Sequence, residues 1–141
     1  MKGTYALILQ VPFDLQLKVG ELGLRSFKAG YYAYIGSALS GVEGRVGHHL
    51  RRKKTAHWHI DYLTMRARVV DLVRAESRDR RECRVAKGLT DLPFVEGFGS
   101  TDCGCPSHLF YSPGLHPLLE RVLLAFRKAG LRPERGWEPL P

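Results

Sequence analysis

Acidic side chains are scarce in this chain of 141 residues: fourteen Asp and Glu stand against twenty-two Lys and Arg, for a formal net charge of +8. The imbalance points to a polyanionic partner, because phosphates bound by basic side chains release their counterions. A nucleic acid, DNA or RNA, is the expected polyanion, beside the plainer reading of a basic solvated surface. Fifteen of the basic residues are Arg, whose planar fork binds phosphate bidentately, although genome bias or heat tolerance also enriches Arg. Cysteine is sparse, and three is an odd number, which argues for reduced thiols in a reducing compartment. No apolar run reaches the ~18 residues of a membrane span, and no basic, then apolar, then small-residue leader opens the chain. A soluble, cytoplasmic protein without a membrane partner is expected. No internal repeat is visible. The length suits one compact domain, taken as residues 1–130, and three prolines in Arg132 to Pro141 mark 131–141 as a loosely held, Pro-rich tail.

Hydrophobic patterning then places the elements. Thr4 to Val11 is apolar and partly β-branched between Gly3 and Pro12, the pattern of a buried strand. Leu15 to Val19 alternates with period two, which predicts a half-exposed strand. Gly23 to Lys28 reads as a connection with a short extended piece, and Gly30 to Ile35 as a central strand ended by Gly36. Val42, Val46 and Leu50 form a narrow helical stripe within Val42 to Lys53, weakened by Gly44 and Gly47 at ~1 kcal/mol each. His57 to Met65 reads as a short helix, with a strand not excluded. Arg68 to Ala75 is a strand by β-branched content, and Arg80 to Leu89 a helix started by Asp79. Pro93 to Pro106 is loop, Ser107 to Tyr111 a short strand, and His116 to Lys128 an amphipathic helix stopped by Gly130.

The most informative stretch is Gly30-Tyr31-Tyr32-Ala33-Tyr34-Ile35-Gly36-Ser37-Ala38, followed by Arg45, His48, His49, Arg51, Arg52, Lys53 and Lys54. It delivers a phenol to a glycine turn just before a basic helix. With the apolar stripe centred on Val46, His49 lies about 60° and Arg45 about 100° to one side, while His48 is nearly opposite. Arg45 and His49 are therefore neighbours on one edge of the buried face, where a side chain can look into a groove floored by the sheet. His48, Arg51, Arg52, Lys53 and Lys54 are expected to face water or a nucleic-acid backbone. The plainer alternatives are a solvated or salt-bridged Arg45 and a half-buried, satisfied His49.

These residues carry a resemblance. Gly3-Thr4-Tyr5 on the first strand, Tyr34-Ile35-Gly36 on a later one, and Arg45 with His49 on the following helix look like the GIY-YIG nuclease superfamily. Together with His57-Trp58-His59-Ile60-Asp61-Tyr62-Leu63, Glu82-Cys83, and the run Gly97 to Leu109 with its Asp102-Cys103-Gly104-Cys105-Pro106-Ser107-His108 core, the pattern resembles a compact GIY-YIG-like family of prokaryotic proteins sometimes fused to endonuclease III. The resemblance covers residues 3 to 112. It implies an α/β (α+β) layer with a small, mainly antiparallel sheet flanked by helices, and metal-dependent hydrolysis of DNA with Mg²⁺ or Mn²⁺. Tyr5 and Tyr34 would line the reaction centre, Arg45 would bind the scissile phosphate, and Glu82 would hold the metal. Such fusions imply a DNA-repair protein as partner. Twenty-eight residues lie between Tyr5 and Tyr34, more than superfamily members usually have, so an extra hairpin around Leu15 to Val19 is expected after the first strand.

The chemistry asks for these residue types. A divalent metal neutralises developing charge and Arg stabilises charge at phosphorus. A phenol with a pKa near ~10 must be acidified by the metal or by Arg45 to accept a proton, and His49 is the alternative acceptor. Asp79-x-x-Glu82 equally fits a capping box, in which Glu82 folds back onto the helix start. His57, His59 and Asp61 with Cys103, Cys105 and His108 offer the ligand types of zinc, but Cys-x-Cys is not the usual spacer and no matching Cys pair exists elsewhere. The reading adopted has Trp58, Ile60, Tyr62 and Leu63 in the core, His59 and Asp61 in a buried hydrogen-bond network and Cys103 and Cys105 as reduced turn residues; Asp102 and His108 are expected to border the active groove, with His59 and Asp61 as further candidates for that border. Three functions stand: a DNA endonuclease, a non-catalytic nucleic-acid-binding module, and a zinc-stabilised interaction domain.

Overall fold

Strand β1, Gly3–Val11, is the axis of the fold. Both of its faces are covered, so it reads as an almost unbroken apolar run rather than an alternating one. In the computed structural model, which describes residues 1–51 and 53–136, β1 pairs antiparallel along its whole length with β4, Gly30–Ala38, from Gly3 opposite Ala38 to Val11 opposite Gly30. Its other edge pairs antiparallel with β5, Arg68–Glu76, with a register shift between Ile8 and Leu9. Two shorter strands complete the five-stranded sheet: β6, Leu109–Ser112, lies beside β4, and β7, Glu134–Arg135, beside β5. The expected hairpin is present as β2, Leu15–Lys18, and β3, Leu24–Phe27, which pair with each other in a separate two-stranded sheet.

Alternation along β1 divides the core. Tyr5, Leu7, Leu9 and Val11 pack with Val42 and Val46 of α1 (Val42–Leu50), with Ile60 and Leu63 of α2 (His59–Thr64), and with Leu17 and Phe27 of the hairpin. Ala6 and Ile8 face the other way, against Val85 and Ala86 of α3 (Glu82–Lys87) and Leu118, Val122 and Phe126 of α4 (Leu115–Lys128). Each large apolar side chain buried in this way contributes about 1.5–3 kcal/mol. The result is a small α+β fold with a mainly antiparallel sheet between two helical layers. Among the described residues no helix is long and apolar enough to cross a membrane.

Several boundaries differ from the sequence expectation for identifiable reasons. Gly36 does not end β4, which runs on to Ala38. Gly36 stands opposite Tyr5, and a Cβ there would lie 2.6 Å from the Tyr5 hydroxyl, so glycine makes room for the ring inside a continuing strand. Helix α1 stops at Leu50 rather than Lys53: Arg51 is extended, and the Lys54 ammonium folds back to donate to the carbonyls of His48 and His49. Lysine at a helix C-terminus satisfies carbonyls that lack intrahelical partners. Helix α3 begins at Glu82, with no side-chain cap, because Asp79 engages the Arg81 guanidinium at 3.0 Å. The capping box does not form, and Glu82 turns elsewhere. Of residues 131–141, set apart above as a loose tail, Leu131 is buried and Glu134 and Arg135 pair with β5; residues 137–141 lie outside the described residues.

Replacing Gly36 with Ala tests the close approach of Tyr5. The added methyl group must displace a fully buried ring, so Gly36→Ala is expected to lose about 1–3 kcal/mol of stability in denaturant unfolding.

Candidate active site

Strand β6 pairs with β4 only from Tyr31 to Tyr34. Past that point the Ile35 amide donates to the His108 carbonyl, and Gly36 to Ala38 have no β6 partner, so helices from the two faces of the sheet can meet over this edge. A cleft of about 460 Å³ opens there. Tyr34 and Ser37 of β4, Arg45 of α1, Trp58 and His59 at the start of α2, and Glu82 of α3 form its walls, closed by Gly99, Asp102, Cys103 and His108 of the following loop.

Ser37 is the meeting point. Arg45 reaches it from one face, donating from Nη1 to the Ser37 carbonyl at 3.4 Å, with its guanidinium 4.4 Å above the centre of the Trp58 ring. Such stacking holds the cation in place, and the planar guanidinium has N–H donors beyond the one given to Ser37 to offer an anion. Glu82 arrives from the opposite face, its carboxylate accepting from the Ser37 hydroxyl. The helical phase that put Arg45 at a groove edge therefore matches its position. From the sequence alone Ser37 has no role and Trp58 only that of a core residue. Their signal is position: Ser37 follows Gly36 at the open strand edge, and Trp58 precedes α2.

Below the cleft lies a sealed layer. Tyr5 and His49, expected to line the reaction centre and to serve as proton acceptor, are each only 1% exposed. Neither forms part of the cleft wall. The Tyr5 hydroxyl and His49 Nε2 are 2.8 Å apart, and the Tyr34 ring packs over both, at 6.4 Å and 6.2 Å between ring centres. Burial pushes both phenols well above their ordinary pKa, against the pull of Arg45, so both stay protonated at neutral pH. Burial likewise pushes the His49 imidazole down to about 3, although the Asp61 carboxylate opposes the shift.

Asp61 corrects three further expectations. It does not border the cleft but lies completely buried in the hydrogen-bond network expected of it, accepting from the amides of His57 and Trp58 at 2.7 and 2.9 Å. His48, expected to face water, meets Asp61 Oδ1 through Nε2 at 3.0 Å. Lys54, expected on a nucleic-acid surface, is inside: its ammonium lies 3.8 Å from Asp61 Oδ1 and donates to Thr64 Oγ1 at 2.8 Å. Burial opposes ionisation of Asp61, but the Trp58 and His57 amides together with His48 outweigh it and hold the carboxyl below its usual range. Arg51 and Lys53 are exposed, while Arg52 lies outside the described residues. His59, Asp102 and His108 do border the cleft. His59 Nδ1 accepts from the Gly99 amide at 2.9 Å, which leaves Nε2 as a donor whenever the ring is neutral, the form that burial favours.

Cys83 is the residue the motif reading did not use as a ligand. It meets Cys103, Cys105 and His108 at the rim, with the four potential ligand atoms all within 4.8 Å of one another, and all three cysteines are free. His57, His59 and Asp61 are not in this group. Burial and the neighbouring thiols push the Cys83 thiol up, and burial pushes His108 down toward the neutral ring. A larger recess of about 560 Å³, lined by Glu76, Arg78, Arg81 and Arg132 among others, contains no tyrosine, histidine or cysteine among the described residues.

Fold and cleft together define a small α+β domain in which an arginine, a tyrosine and a glutamate converge on one strand edge. The family model described as "Domain of unknown function DUF123" matches residues 4–131, and the chain belongs to that family. Comparison with curated proteins and with solved structures gave no match.

The neutral, buried His49 makes stability depend on pH with a definite sign. Its folded-state value of about 3 lies below the ~6.5 of an unfolded chain, so across that interval the unfolded state binds a proton that the folded state refuses. The stability is complete above the unfolded value and is lost as pH falls toward the folded one. Denaturant unfolding at pH 7 and pH 5 is expected to show a loss of roughly 2 kcal/mol in the native chain that His49→Gln removes.

Proposed function

We propose that the cleft hydrolyses phosphodiester bonds in DNA, as a metal-dependent endonuclease of the GIY-YIG kind, in a DNA-repair setting. The observation that carries this reading is the convergence of Arg45 and Glu82 on Ser37 from opposite faces of the sheet, beside Tyr34. A phosphate needs a fork of donors, and a hydrated divalent ion needs a carboxylate close to that phosphate. Glu82 fits a Mg²⁺ or Mn²⁺ ion, because such ions keep several waters and take one or two carboxylates together with substrate oxygens. When bound, the ion supplies charge that neutralises the phosphoryl oxygens and draws the Tyr34 phenol toward ionisation.

The remaining roles belong to the chain. Arg45, preset on Trp58, binds the scissile phosphate and stabilises the charge that develops there. Tyr34 holds its proton in the absence of a substrate and acts as a donor at the cleft wall. His59, with its Nδ1 engaged by Gly99, offers a second donor. Tyr5 and His49 act through Tyr34 and Gly36 as positioning residues. Purified protein with Mg²⁺ or Mn²⁺ is expected to nick or cut DNA, and Arg45→Ala to lower the rate by at least ~100-fold with an unchanged circular dichroism spectrum. Undiminished cleavage by that variant removes the assignment.

The exposed Arg51 and Lys53 support a second reading, a nucleic-acid-binding module without turnover. It predicts salt-sensitive binding of DNA or RNA that weakens when both residues are neutralised, and no cleavage with any divalent metal.

A further inference from the structure

All three cysteines of the chain, from two distant segments, converge with one histidine. Cys83 is the second residue of α3, Cys103 and Cys105 flank Gly104 in the loop after β5 and α3, and His108 immediately precedes β6. Cys83 Sγ and Cys103 Sγ each lie 3.6 Å from His108 Nε2. The sulfur-to-nitrogen edge of a tetrahedron with Zn–S of ~2.3 Å and Zn–N of ~2.05 Å is about 3.6 Å, and the sulfur-to-sulfur edge about 3.8 Å. The loop that presents these groups is held by its own main chain: the Gly97 amide donates to Pro106 and the His108 amide to Phe98, both at 2.8 Å, while the His108 carbonyl accepts from Ile35. The histidine is thus fixed to the sheet independently of any metal.

We propose that Cys83, Cys103, Cys105 and His108 form a structural Zn²⁺ site. The donor set is three sulfurs and one imidazole nitrogen, which selects a borderline-soft tetrahedral ion over the oxygen-loving Mg²⁺. On binding, each of the three thiols releases its proton to solvent and becomes a thiolate ligand, and neutral His108 donates the Nε2 lone pair, so the centre carries a net charge of −1. Four protein ligands leave no open position, which separates this site from a catalytic metal at Glu82. Its effect is mechanical: zinc ties the N-terminus of α3, and with it Glu82, to the loop that closes the cleft. The assignment is independent of the nuclease reading.

The full chain, expressed and purified without chelator or added metal, is expected to hold about one zinc per molecule by elemental analysis. Cys83→Ser and Cys105→Ser should lose most of it, whereas His57→Gln, which alters a neighbouring histidine outside the cluster, should retain it. Because a cysteine variant can lose zinc by misfolding, the native chain is also refolded with Co²⁺ alone: a strong thiolate-to-cobalt charge-transfer band with tetrahedral d–d bands is expected. Absence of that band, zinc below about one-tenth per chain, or loss of zinc in His57→Gln overturns the proposal.

Discussion

Across the β1–β4 ladder Tyr5 stands opposite Gly36, and with no Cβ at that position the ring lies directly over main chain. This one approach sets the depth of everything above it. Tyr5 reaches His49 on α1, so the helix is seated by a polar contact as well as by Val42 and Val46. Seating α1 in turn fixes Arg45, one turn earlier, over the open end of β4. A side chain at Gly36 would lift the ring, and with it the helix that carries the arginine.

The layer below the cleft is held together electrostatically. Asp61 is a fully buried carboxylate, and a buried charge persists only when paired and hydrogen-bonded. Two amides at the start of α2, the His48 imidazole and the Lys54 ammonium supply those partners. The arrangement joins the C-terminal end of α1 to the first turn of α2, and it turns inward two side chains from a stretch that charge alone assigns to a surface.

How legible each part was in the sequence follows the range of the interaction concerned. Period and turn residues marked β1, β2, α1 and α4, because apolar spacing depends only on neighbours along the chain, whereas the hairpin that joins β2 to β3 was expected only from the family resemblance. The phase of Val42, Val46 and Leu50 placed Arg45 correctly. The same phase argument failed for His48, since a partner on another element, Asp61, drew it inward. Lys54 was misread because a basic run looks like a solvated face until the chain turns back on the helix end. Glu82 satisfied a capping pattern that Asp79 does not complete, having taken Arg81 instead. The meeting of Cys83 with Cys103, Cys105 and His108 had no local signal at all: it is produced by the packing of α3 beside the loop before β6.

Ser37 carries an arginine on its carbonyl and a glutamate on its hydroxyl, so opposite charges balance each other across a single residue. An anion arriving alone meets the repulsion of Glu82, and a cation arriving alone meets that of Arg45. Each removes the penalty the other faces. If the edge binds a cation at Glu82 and an anion at Arg45, as proposed above, thermodynamic linkage requires that whatever factor the cation adds to the anion's affinity the anion returns to the cation, so neither affinity would have a single value independent of the other ion.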